Sequence, residues 1–104
     1  MKKFCVLVSV ALLAAIPMML LAAADGAALY KEKCSMCHGA NGEGNKDTGM
    51  PAVKGTKITV EKLTALLFKG DPDMTIHRNP VGQLSEEQSK AVAEFIKKME
   101  ESQQ

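Results

Sequence analysis

The chain has 104 residues, 13 basic against 12 acidic side chains for a net charge of +1, no tryptophan, one tyrosine and three phenylalanines. That length holds one domain at most, and the near balance of charge excludes the basic surface that nucleic-acid binding needs. No nucleic-acid partner is expected.

Residues 1–24 read as an export signal, cleaved in the mature protein. Lys2 and Lys3 precede an uncharged run from Phe4 to Leu21 that ends in Ala22, Ala23 and Ala24, the charged start, apolar middle and small-residue site of such a segment. A retained anchor is the alternative, but the run is at the short end for a spanning helix. Cleavage removes Cys5 with the signal and, by taking two lysines from the basic total, moves the net charge to about −1. No stable membrane insertion is then expected.

The remaining chain divides into a domain at 25–99 and a frayed tail at 100–104. Tyr30, Phe68 and Phe95 are its only aromatics, a thin core for so small a unit. Such domains commonly recruit a disulfide, a metal or another large buried group.

Asp25 is placed to cap a first helix, with Ala27, Tyr30 and Cys34 at i, i+3 and i+7 forming one inward stripe. It delivers "CSMCHG", residues 34–39. Gly39 to Gly55, rich in Gly, Asn and Pro, is expected to be a loop. Thr59 then caps a second helix, with Ile58 and Leu63 as a hydrophobic staple, Leu63, Leu66 and Leu67 facing inward, and Gly70 as terminator. Pro72, Pro80 and Gly82 keep 71–84 irregular. Ser85 with Gln88 matches a capping box that opens a last helix, whose inward positions are Val92, Phe95, Ile96 and Met99. The fold class is all-α, three to four short helices joined by Gly-rich loops.

Three chemistries use two cysteines at this spacing. A structural zinc needs four ligands, and beyond "CSMCH" the exported chain has only His77 to offer. A dithiol redox pair wants a strand-and-helix setting that is not evident. Covalent haem attachment fits: two thiols on one helical turn form thioethers, and the next side chain, His38, is carried under the iron as an axial ligand. Cys34 and Cys37 are thus the attachment residues, and one haem c with its iron is the expected cofactor. Bacterial haem is attached outside the cytoplasm, so the chain is expected in the periplasm.

On "DGAALYKEKCSMCHGANGEG", "PAVKG" and "LSEEQSKAVAEFIKKM" the chain resembles class I monohaem cytochromes c, nearest the short periplasmic ones of sulfate-reducing bacteria. The resemblance implies that the first and last helices cross near Tyr30 and Phe95. It also implies that the Pro51 carbonyl accepts a hydrogen bond from the His38 ring, which puts Met50 on the proximal side and outside the ligand set. Met99 reads as core, and Met36 fills a variable slot. For the sixth ligand the resemblance implies a methionine, Met74, followed by Thr75, and Met74 is the assignment made; the count back from Ser85 lands instead on His77, which is the alternative.

The function implied is a monomeric periplasmic carrier of single electrons, not an enzyme. Its partners would be redox proteins such as a dehydrogenase or a terminal oxidase. Lys31, Lys33 and Lys54 are the candidate docking lysines, the other lysines reading as ordinary solvated faces. Alternatives are a five-coordinate haem protein that binds small ligands, as a sensor or weak peroxidase, and an electron-transfer subunit of a larger oxidoreductase.

Overall fold

The computed structural model describes residues 24–101, so the expected signal lies almost wholly outside the described residues, as do the last three of the expected tail. Four helices follow in order: α1 Gly26–Lys33, α2 Ser35–His38, α3 Val60–Lys69 and α4 Glu86–Glu101. Among the described residues there is no strand, only an isolated antiparallel bridge between Asn45 and Met50. No helix among them is long and apolar enough to cross a membrane.

Local chemistry accounts for the helix ends. The Asp25 carboxylate accepts from the Ala28 amide at 3.1 Å, and the Thr59 hydroxyl accepts from the Lys62 amide at 3.2 Å, each meeting one of the donors a helix start leaves unpaired. Ser85 and Gln88 cap reciprocally: the Gln88 amide donates to the Ser85 hydroxyl at 3.0 Å and the Ser85 amide to the Gln88 side-chain oxygen at 2.8 Å. Gly70 stops α3 in the left-handed region, its amide bonded to the Leu66 carbonyl. α4 runs on through Glu101.

The core is where α1 and α3 pack on α4. Tyr30, Leu63, Leu67, Leu84, Val92, Ala93, Ile96 and Met99 are buried together with Cys34. Tyr30 and Phe95 meet at 5.4 Å between ring centres, marking the crossing of α1 and α4.

Two expectations about α1 are corrected. Ala27 is exposed and does not join the inward stripe; its neighbour Gly26 makes the contact instead, lying against the Ala91 carbonyl and the Phe95 side chain. The helix also does not run unbroken through the cysteines. Cys34, at φ −120° and ψ −34°, ends α1 and opens α2, so the chain bends there.

Candidate functional site

The bend at Cys34 builds the first half of the site. The Cys37 and His38 amides both donate to the Cys34 carbonyl, at 3.2 and 2.9 Å, which winds residues 34–38 into one turn. Gly39 leaves it at φ 86°, a conformation glycine adopts freely. The Gly39 carbonyl accepts from the Tyr30 hydroxyl at 2.8 Å, tying the turn back to α1. That role for Tyr30 went beyond the sequence reading, although a buried phenol needs a partner.

Cys34 is buried and Cys37 exposed, so one thiol faces the interior while the other stands at the surface. Burial first, then the neighbouring Cys37, pushes the Cys34 thiol up to about 11. It is protonated at neutral pH, the reverse of what a dithiol redox pair requires of its attacking cysteine.

His38 Nδ1 stands 2.8 Å from the Pro51 carbonyl oxygen. A carbonyl only accepts, so Nδ1 carries the proton and Nε2 keeps a lone pair for a metal. The intervening loop is folded to present that oxygen. The Gly44 amide donates to the His38 carbonyl at 2.7 Å, and Asn45 and Met50 exchange two backbone bonds of 2.9 Å. Gly44, at φ 76°, packs against the backbone of residues 50–52 with no room for a Cβ. Farther along, the Lys97 ammonium of α4 donates to the Thr56 carbonyl at 2.7 Å, clamping the loop to the last helix.

His38 looks into a cavity of about 260 Å³ whose wall includes Tyr30, Cys34, Leu63, Leu66, Leu67 and Ile96, together with Pro51, Met74 and His77. Two adjoining cavities also have His38 and His77 in their walls; Met50 lines both, and Cys37 lines one of them. The structure thus brings Cys34, His38, Pro51, Met74 and His77 around one space, with Cys37 at its edge. An apolar chamber with one thiol in its wall, a second at its edge and an imidazole whose Nε2 has a lone pair to give fits a flat, apolar, metal-bearing macrocycle.

Met74 and His77 occupy different parts of the 71–84 loop. The Asp71 amide donates to the His77 carbonyl at 2.8 Å and the Met74 amide to the Asp71 carbonyl at 3.0 Å, closing residues 71–77 into a turn. His77 is at its base, half-buried; Met74 is nearer its tip, 37 % exposed. Burial, and then the nearby His38, lowers the His77 pKa below the usual histidine value. The His38 and His77 rings are 6.0 Å apart between centres, with planes 16° from parallel.

Comparison with known proteins agrees with this chemistry. Residues 21–96 match the family described as cytochrome c oxidase, cbb3-type, subunit III. The chain is 35 % identical over 103 residues to cytochrome c-553 of Nitratidesulfovibrio vulgaris (strain Miyazaki F), covering 95 % of this chain and all of that one. Among solved structures it is similar to the KustC0563 c-type cytochrome, with TM-score 0.56 and 24 % identity over 72 % of this chain and 96 % of that one. A similar likeness, TM-score 0.57 and 25 % identity, covers 70 % of this chain but 16 % of the dihydro-heme d1 dehydrogenase NirN.

Proposed function

We propose that this chain, which belongs to the c-type cytochromes and so carries a covalently bound c-type haem with its iron, is a periplasmic shuttle of single electrons between redox proteins. Bound there, the haem supplies a one-electron couple, ferric to ferrous. The observation that carries the reading is the His38–Pro51 contact beside the paired cysteines. It fixes the ring, keeps the proton on Nδ1 and leaves Nε2 with the lone pair that would bind the iron, while Cys34 and Cys37 would supply the two sulfurs for thioethers.

The protein's own part is to hold and to insulate. Leu63, Leu67 and Ile96 wall the chamber and exclude water, which keeps the surrounding dielectric low. The sixth position falls to the 71–84 loop, where the sequence offers Met74 and His77. A side chain in that position leaves no open site for a substrate, so the chain serves as a carrier and not as an enzyme. Electrons would pass at the surface edge, where Cys37 is exposed and Met36 beside it is 93 % exposed, with Lys31, Lys33 and Lys54 guiding a dehydrogenase or oxidase partner into a short-lived complex.

The test is purification of the chain from the periplasmic fraction of an expressing bacterium. The reading expects colour that stays with the polypeptide through acid–acetone extraction and a ferrous form whose Soret band does not move on adding carbon monoxide. Release of the colour would end the covalent assignment; a rapid, stoichiometric carbon monoxide shift would turn the function toward ligand binding.

A further inference from the structure

We propose that Lys97 is a positioning residue for the redox site: through Thr56 and Val53 it holds the Pro51 carbonyl against the His38 ring, and so helps to set the midpoint potential. The proposal rests on the c-type haem reading above and deepens it by naming a residue, far from "CSMCHG" in the chain, that tunes that site.

The chamber has one irregular wall. Leu63, Leu67 and Ile96 come to it from helices, whereas Pro51, Val53 and Thr56 belong to a strap with no regular structure. A helix is stiffened by its own hydrogen bonds; a strap has to be held from outside.

The bonds that hold it run in a line. The Val53 amide donates to the Gly42 carbonyl at 2.9 Å, the Thr56 amide to the Val53 carbonyl at 3.1 Å, and the Lys97 ammonium to the Thr56 carbonyl at 2.7 Å. Bonds in series polarise one another, and the one with an ionised donor is the strongest. Pro51 stands two residues before Val53, so the turn closed by Val53 and Thr56 follows directly on the oxygen that the His38 ring donates to at 2.8 Å.

Both ends of the line are gripped by α4. Lys97 follows the buried Ile96 and is itself half-buried, and two residues on the buried Met99 packs its sulfur on Gly42. The contrast with other lysines is instructive. Lys33 and Lys90 approach carboxylates at 4.0 and 3.9 Å, loose surface pairs of little worth, while Lys97 commits its charge to a peptide oxygen at a much shorter distance.

The hydrogen bond from Nδ1 to the Pro51 oxygen makes the ring a stronger electron donor at Nε2, which favours ferric iron. A strap freed from α4 lets that oxygen retreat, so the bond weakens and the potential rises. Loss of the ammonium charge alone acts the other way, because a positive charge nearby favours the ferrous form. The sign of the shift therefore separates position from charge.

The covalently loaded, full exported chain is the sample. Lys97→Met is expected to raise the midpoint potential equally at low and high salt, and to speed hydrogen exchange at the His38 Nδ1 proton of the ferrous protein. Lys97→Arg, which still donates, should return both toward the native values. A potential that falls in Lys97→Met, with added salt reducing the fall, would leave Lys97 the part of a charge only and overturn the proposal. So would an unmoved potential in a variant that is merely less stable, or a Lys97→Arg protein shifted as far as Lys97→Met. If Lys97→Met does not mature, the unaltered ferrous protein decides: the His38 ring proton and the Val53 and Lys54 amides should exchange through one opening with the same urea dependence, and a ring proton that opens independently of them overturns the proposal. All of these outcomes leave the covalent haem in place, whereas an exported chain without it would sink the parent reading and this one together.

Discussion

Gly26 of α1 and Ala91 of α4 approach so closely that a methyl group on Gly26 would collide with the Ala91 carbonyl and press on the Phe95 Cβ. The opposing atom is main chain, so it cannot swing away as the end of a side chain could. This contact sets how closely the two helices cross, and the Tyr30 and Phe95 rings meet beside it with their planes tilted by 52°.

Gly26→Ala is therefore expected to lower the unfolding free energy by about 1–3 kcal/mol, the usual cost of forcing extra volume into a packed contact. The neighbouring exposed Ala27→Ser should change it by no more than about 0.5 kcal/mol. Urea unfolding of both variants checks the pair; equal midpoints would show that the helices do not touch at Gly26.

Tyr30→Phe removes the hydroxyl that donates to Gly39 at 2.8 Å and leaves that carbonyl without its donor, a loss of about 1–2 kcal/mol. The same substitution should change the alkaline limb of stability. Burial, ahead of the neighbouring Cys34 and Glu43, pushes the phenol from 10.0 up to about 12; once Cys34 is a thioether it carries no charge, and burial remains. Between those values the unfolded chain has lost the proton and the folded one keeps it. Stability from this group is whole below pH 10 and is lost as pH rises toward about 12. Comparing urea midpoints at pH 8 and pH 11 should give a larger fall for the native chain than for Tyr30→Phe, the lysine titrations being common to both.

Lys97→Met keeps the aliphatic stem but deletes the ammonium that donates to the Thr56 carbonyl at 2.7 Å. The site is only part-buried, so the expected loss is about 1 kcal/mol. Its local effect should be more visible. The Val53 and Lys54 amides both donate to the Gly42 carbonyl, at 2.9 and 3.0 Å, and they should exchange hydrogen faster once the loop is released from α4. Unchanged exchange at both amides would show that the clamp does not stabilise the loop.

What could be read from the sequence is what local chemistry determines. Asp25, Thr59 and Ser85 with Gln88 cap helices by bonds that span three residues, and Gly70 ends α3 because no other residue takes its φ so cheaply. The inward faces of α3 and α4 follow from spacing alone. Ala27 misled because helical periodicity does not say which side of a helix meets a partner, and Gly26, with no side chain, adds nothing to a hydrophobic stripe although it makes the tightest contact. The break at Cys34 and the left-handed turn at Gln83, φ 59°, were equally hidden: Gly82 drew attention one residue too early. At the site, "CSMCHG" named its chemistry outright. That Met74 and His77 both reach the chamber wall could not be read, because it depends on how residues 71–77 fold back on the end of α3, and that closure is a main-chain bond with no sequence signature.

The partner of the His38 ring is a peptide oxygen. Such an atom has no proton to gain or lose and belongs to no replaceable side chain, so neither acidity nor a conservative exchange at position 51 can withdraw it. The tautomer is held by the path of the main chain, and only a shift of that path would let the imidazole turn.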